Sequence, residues 1–109
     1  WIRAWRGELL LRRGLPEPAL AELDAAIAAH EGFSSSWVWR GQALLLLDRQ
    51  DEARRSFEKA QALDPGDAWP LLGLAACRER AGDARGAGEL VARARALSPG
   101  LVAELLGAA

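Results

Sequence analysis

The chain has 109 residues, 14 basic and 15 acidic, for a formal charge of -1, and half of its residues are hydrophobic. That is the composition of one soluble globular domain with room for a single core. One cysteine excludes an internal disulfide and a thiolate metal cage, the charge balance argues against a protein held on nucleic acid by bulk electrostatics, and the apolar run Leu44 to Leu47 is far too short for a membrane span.

Alanine (23) and leucine (19) dominate, tyrosine is absent and β-branched residues are few, so the class is all-α. Breakers divide the chain into helices of about 13 residues. The first is predicted over 1–13 and stops at Gly14-Leu15-Pro16. The second, 17–30, carries Ala19, Leu23 and Ala26 at i, i+4 and i+7 and ends before Gly32. A third over 35–47 is closed by Asp48 to Asp51, and a fourth over 51–63 repeats the spacing with Ala53, Phe57 and Ala60. After Asp64-Pro65-Gly66 comes a fifth over 68–81, then Gly82-Asp83 and a sixth over 84–97, which Gly86 and Gly88 weaken. A stub follows Ser98-Pro99-Gly100, starting at 101. It bears an apolar stripe of Leu101, Val102, Leu105 and Leu106, which predicts self-association when the stripe is free.

A shift of 34 residues superposes the chain on itself. Trp5-Arg6-Gly7 falls on Trp39-Arg40-Gly41, Leu10-Leu11 on Leu44-Leu45, and Ala60, Ala62, Leu63, Pro65 and Gly66 on Ala94, Ala96, Leu97, Pro99 and Gly100. Three columns are alanine in every copy: 19/53/87, 26/60/94 and 28/62/96. Chance in an alanine-rich chain gives roughly 0.3 such columns, so the period is real. It divides the chain into repeats of about 1–33, 34–67 and 68–101 with a stub over 102–109. Gly7, Gly41 and Ala75 remove bulk where helices cross, and the alanines do so from the opposite helix.

A helix-turn-helix unit of this length, with Trp37, Gly41, Ala53, Phe57, Ala60 and Pro65 in order, resembles the tetratricopeptide repeat. Arg40 and Leu44 depart from the pattern, where that family has a leucine and an aromatic. The third copy keeps Leu71, Leu74, Ala75, Ala87, Val91, Ala94 and Pro99, with Arg78 at the aromatic position. The first keeps Gly7, Leu10, Ala19, Leu23 and Ala26.

The resemblance implies a right-handed superhelical stack of antiparallel helix hairpins, a solenoid whose first helices line a concave groove that binds a peptide or protein segment. Carried onto this chain, the groove presents Glu8, Leu11 and Arg12, with Trp1 and Ala4, from the first repeat. The second presents Val38, Gln42, Leu45 and Leu46, with Ser35, and the third Trp69, Leu72, Ala76, Glu79 and Arg80. Leu45, Leu46 and Leu72 give an apolar floor, Trp69 a rim contact, and Glu8, Gln42, Arg12 and Arg80 fix register. The places where one family subset clamps a chaperone's terminal carboxylate hold Ala4, Glu8, Trp39, Trp69 and Gly73 here, so that ligand is not expected.

Other conspicuous residues have structural explanations. Trp5 and Trp39 are read as packing between hairpins, the Leu44 to Leu47 run as core, His30 as a helix C-terminal cap, and Cys77 as a small buried thiol. The arginines at 78, 80, 85, 93 and 95 are interspersed with Glu79, Asp83 and Glu89, which reads as a mixed solvated face. No cluster of His, Cys or paired carboxylates stands at catalytic or ligand spacing and no phosphate loop appears, so no enzyme, metal or cofactor is expected. The expected partner is a protein or peptide, with neither nucleic acid nor membrane. The alternatives are a structural or oligomerisation element, or a regulatory appendage of an enzyme. Beginning at Trp1, the chain reads as a piece of a longer protein, and a cytoplasmic location is the expectation.

Overall fold

The computed structural model describes residues 2–106; Trp1, expected in the groove, and residues 107–109 of the stub lie outside the described residues. Seven helices follow in order: α1 (Ile2–Arg12), α2 (Pro16–Ala29), α3 (Ser34–Leu46), α4 (Gln50–Leu63), α5 (Trp69–Arg80), α6 (Ala84–Leu97) and α7 (Pro99–Leu106). No strand occurs among the described residues. Helices α1 and α2, α3 and α4, and α5 and α6 pair as hairpins, and each hairpin packs on the next. The all-α stack of hairpins is as expected. Helix α7 starts two residues early because Pro99 needs no hydrogen-bond acceptor in a first helical turn.

The 34-residue period is written in the turns. Gly14, Asp48 and Gly82 stand 34 apart and all have positive φ, at 74°, 59° and 85°. Each closes the first helix of its hairpin with the same two bonds. Gly14 N–H donates to Leu11 O at 3.0 Å and Leu15 N–H to Leu10 O at 2.9 Å; Asp48 and Arg49, and Gly82 and Asp83, repeat the pair. The left-handed residue lets the chain reverse while satisfying carbonyls that the helix end leaves open. The second helices end as regularly, on His30, Asp64 and Ser98, whose N–H groups donate to Ala26, Ala60 and Ala94.

The core is centred on Phe57, which is fully buried with Val38, Leu44, Ala53, Ala60 and Cys77. Two glycines make room for its ring. A Cβ on Gly41 of α3 would stand 2.6 Å from it, and one on Gly73 of α5 would also collide with it. The first hairpin repeats the device on a smaller scale, with Gly7 against Leu23. A second cluster of Ala68, Leu71, Ala94 and Val102 ties α5 and α6 to α7.

Several sequence expectations change here. The alanine columns 19/53/87 and 26/60/94 are buried, but Ala28, Ala62 and Ala96 face solvent. That column contributes helix propensity rather than packing. Trp5 and Trp39 do meet, with ring centroids 5.8 Å apart, yet Trp5 remains 55% exposed and so covers the hairpin junction from outside. Of the leucine run, Leu44 is buried and Leu45 packs on the core, whereas Leu46 is 58% exposed. Gly86 does more than weaken α6: its N–H donates to the Asp83 carboxylate at 2.9 Å, making the N-terminal cap of that helix. The stub splits in two. Val102 is buried and Leu101 packs beside it, while Leu105 and Leu106 stay exposed.

Candidate functional site: the first-helix groove

Because first helices of successive hairpins lie side by side, α1 and α3 touch, as do α3 and α5. Two adjoining clefts open along this face. The larger, about 430 Å³, is walled by Glu8, Leu11 and Arg12 of α1, by Ser35, Val38, Trp39 and Gln42 of α3, and by Asp67 and Trp69 at the start of α5. The second, about 370 Å³, is lined by Leu11, Gln42, Leu45, Leu46 and Arg80. Leu11 and Gln42 belong to both, so the clefts form one furrow across the three hairpins.

Helical spacing brings these residues to one side. In α3, positions 35, 38, 42 and 45 are three or four apart and share a face, while Gly41 and Leu44 turn into the core. Trp69 is held at the rim by its own backbone: Asp67 accepts its N–H at 3.0 Å, and Pro70 behind it is buried. Trp69 itself is 39% exposed and forms a wall of the larger cleft.

The furrow's charges are engaged by the chain itself. Glu8, the less exposed partner, pairs with Arg12 at 2.6 Å. Arg80 donates to the carbonyl of Leu45 at 2.6 Å and lies 3.8 Å from Asp48, so it closes the C-terminal end of α3 from the next hairpin. What remains open to a ligand is mainly apolar surface from Leu11, Leu45, Leu46 and Trp69, with the Gln42 amide between them.

Nine of the twelve residues assigned to the groove from sequence line these clefts: Glu8, Leu11, Arg12, Val38, Gln42, Leu45, Leu46, Trp69 and Arg80. Val38 shows only an edge, being 4% exposed and part of the Phe57 core. Leu72, Ala76 and Glu79 line neither cleft. Leu72 is half-buried against the C-terminal cluster, which draws it away from the furrow. Ala4, also expected on this face, is buried. Sequence reasoning missed Asp67 as a wall residue; its place two residues before Trp69, in a turn that starts a helix, was the available signal. Elsewhere, burial pushes the Cys77 thiol above its ordinary pKa and keeps it neutral. Among the described residues no group of three His, Cys, Asp or Glu side chains could hold a metal ion.

Repeated helix hairpins at a 34-residue period, stacked so that first helices share one furrowed face, define a helical-repeat solenoid. Residues 34–67 match the family model of the tetratricopeptide repeat. The middle hairpin is thus a tetratricopeptide repeat by sequence, and the whole stack has the fold of such repeats.

Solved structures agree in shape. MamA is 21% identical at a TM-score of 0.79, over 94% of this chain and 65% of that one. YrrB, described as a tetratricopeptide-repeat protein with an unusual peptide-binding site, is 22% identical at a TM-score of 0.83, over 94% of this chain and 54% of its own. The second such domain of human RPAP3, solved with an HSP70 peptide, is 22% identical at a TM-score of 0.81, over 90% of this chain and 82% of that one. The chain thus spans less than two thirds of the length of MamA and of YrrB. No curated protein sequence matches it.

Proposed function

We propose that the chain is a protein-interaction module that takes a short segment of another protein along the furrow between α1, α3 and α5. The observation that carries this is the furrow's makeup, an apolar strip of Leu11, Leu45, Leu46 and Trp69 flanked by charges already paired within the chain. Two structural neighbours, YrrB and human RPAP3, are described with peptides or a peptide-binding site, which supports the same reading. Apolar contacts then supply most of the affinity, with Gln42 and the rim charges setting register. A furrow this short suits an affinity near the micromolar range, about 8 kcal/mol, unless several modules act together.

The test compares partners captured by the wild-type chain and by a Leu45→Glu, Trp69→Ala double variant of unchanged circular dichroism. The reading expects the double variant to lose those partners; equal recovery by both refutes it. The exposed Leu105 and Leu106 favour a second role for the end of the stack, self-association through α7. Sedimentation of a Leu105→Glu, Leu106→Glu variant tests this, since an unchanged oligomeric state excludes it.

A further inference from the structure

Behind α5, facing away from the furrow, lies another cleft. It is about 540 Å³, larger than either part of the furrow, and runs between α4 and α6 with α5 as its floor. Leu74 and Cys77 of α5 and Ala81 at its C-terminal cap line it, at spacings of three and four that put them on one side of the helix. The site therefore shares no residue with the furrow.

The repeat itself shows what this position does elsewhere. One hairpin earlier, the corresponding space between α2 and α4 is spanned by Arg40 of α3. Its guanidinium donates to Asp24 of α2 at 2.7 Å and to Ser56 of α4 at 2.6 Å. Thirty-four residues on, Arg40 becomes Leu74, Asp24 becomes Glu58 and Ser56 becomes Leu90. The bridge is gone, and an apolar floor stands open in its place. Leu74 and Leu90 are half-buried and Cys77 is nearly covered, its thiol held neutral by burial.

Among the described residues, two of the three wall arginines are paired and the third is not. Arg54, Arg78 and Arg93 line the cleft against Asp51 and Glu58. Arg54 is paired with Glu58 at 3.3 Å and Arg78 with Asp83 at 3.2 Å, both in exposed geometry, while Arg93 has no carboxylate partner among the described residues.

We propose that this rear cleft is a second binding site, taking an apolar side chain next to a carboxylate from an acidic segment of a partner protein. The apolar group replaces what Arg40 does one hairpin earlier by covering Leu74 and Leu90. The carboxylate meets Arg93, with Arg54 and Arg78 close by.

N-acetyl-leucine, which joins one apolar side chain to one carboxylate, is the smallest probe, and N-acetyl-leucinamide is its uncharged control. Each is titrated into the isotope-labelled chain and followed by backbone amide shifts. The expected result is saturable shifts at Leu74, Cys77, Leu90 and Arg93 with the acid, and binding about two- to five-fold weaker with the amide. Leu74→Arg, which restores the bridging residue opposite Glu58, abolishes these shifts while helix content is kept. Arg93→Glu, at an exposed position, removes the preference for the acid and keeps the test intact should Leu74→Arg fail to fold. The proposal is overturned if those amides show no saturable shift, if acid and amide bind equally, or if a folded Leu74→Arg or the Arg93→Glu variant binds the acid as wild type does. Because the furrow variants change Leu45 of α3 and Trp69, neither of which lines the rear cleft, loss of furrow binding leaves this result unaffected.

Discussion

The two junctions of the stack use the same three repeat positions in opposite ways. Where α3 meets the first hairpin, the triplet is Trp39-Arg40-Gly41; where α5 meets the second, it is Gly73-Leu74-Ala75. At the first junction Trp39 lies against Trp5, Arg40 bridges α2 and α4, and Gly41 lets Phe57 of its own hairpin approach. At the second, Gly73 admits the same Phe57 ring from the other side, and Leu74 leaves the rear cleft open. One junction is closed by surface side chains and the other by a core ring driven between two helices. A repeat thus fixes the backbone path, through Gly14, Asp48 and Gly82, while leaving each junction free in chemistry.

Phe57→Ala strikes the residue that both junctions share through α3 and α5, and it should have the largest effect. Loss of a fully buried ring is expected to cost about 3–5 kcal/mol, read as a drop in the urea midpoint. A cost no greater than that of an exposed alanine substitution would break the account of the core. Gly73→Ala tests the second junction alone. Its methyl collides with the ring, so destabilisation of about 1–3 kcal/mol is expected even though alanine is the better helix former. Any stabilisation by Gly73→Ala would show that the ring can move aside.

Arg40→Ala tests the first junction. It leaves the buried Ser56 hydroxyl without its donor and Asp24 without its partner, for an expected loss of about 1 kcal/mol. Hydrogen exchange should show the loosening in α2 and α3 rather than in α6. Gly88→Ala gives the smallest effect and the opposite sign. A Cβ there meets nothing, so about 0.5–1 kcal/mol of stabilisation is expected from helix propensity, visible as a raised thermal midpoint.

Much of this was legible from the chain alone. Each hairpin turn carries a residue that ends helices, and the 34-residue shift aligned glycine, alanine and proline across copies, so helix order and pairing followed. The parts that escaped depend on what a position touches. Gly73 drew notice only as one of the places of a carboxylate clamp, because nothing in one copy reveals that a ring from the preceding hairpin needs the space. Arg40 read as a substitution for leucine, since its partners lie 16 residues away on either side, on two other helices. Arg80 read as a groove charge, although it serves as a cap on the Leu45 carbonyl. The exposed column Ala28, Ala62 and Ala96 had the same periodicity as the buried ones, and periodicity does not say which face is outward.

Photo-crosslinking tests the binding furrow most directly. The chain is prepared with p-benzoylphenylalanine at Gln42, which belongs to both parts of the furrow, or at Ala28, which is exposed on α2 and lines none of the described clefts. After irradiation with captured partners, the account predicts crosslinked partner from position 42 and little from position 28, with the position 42 product suppressed by Leu45→Glu. Equal yields from the two positions, or a position 42 product indifferent to Leu45→Glu, would contradict it.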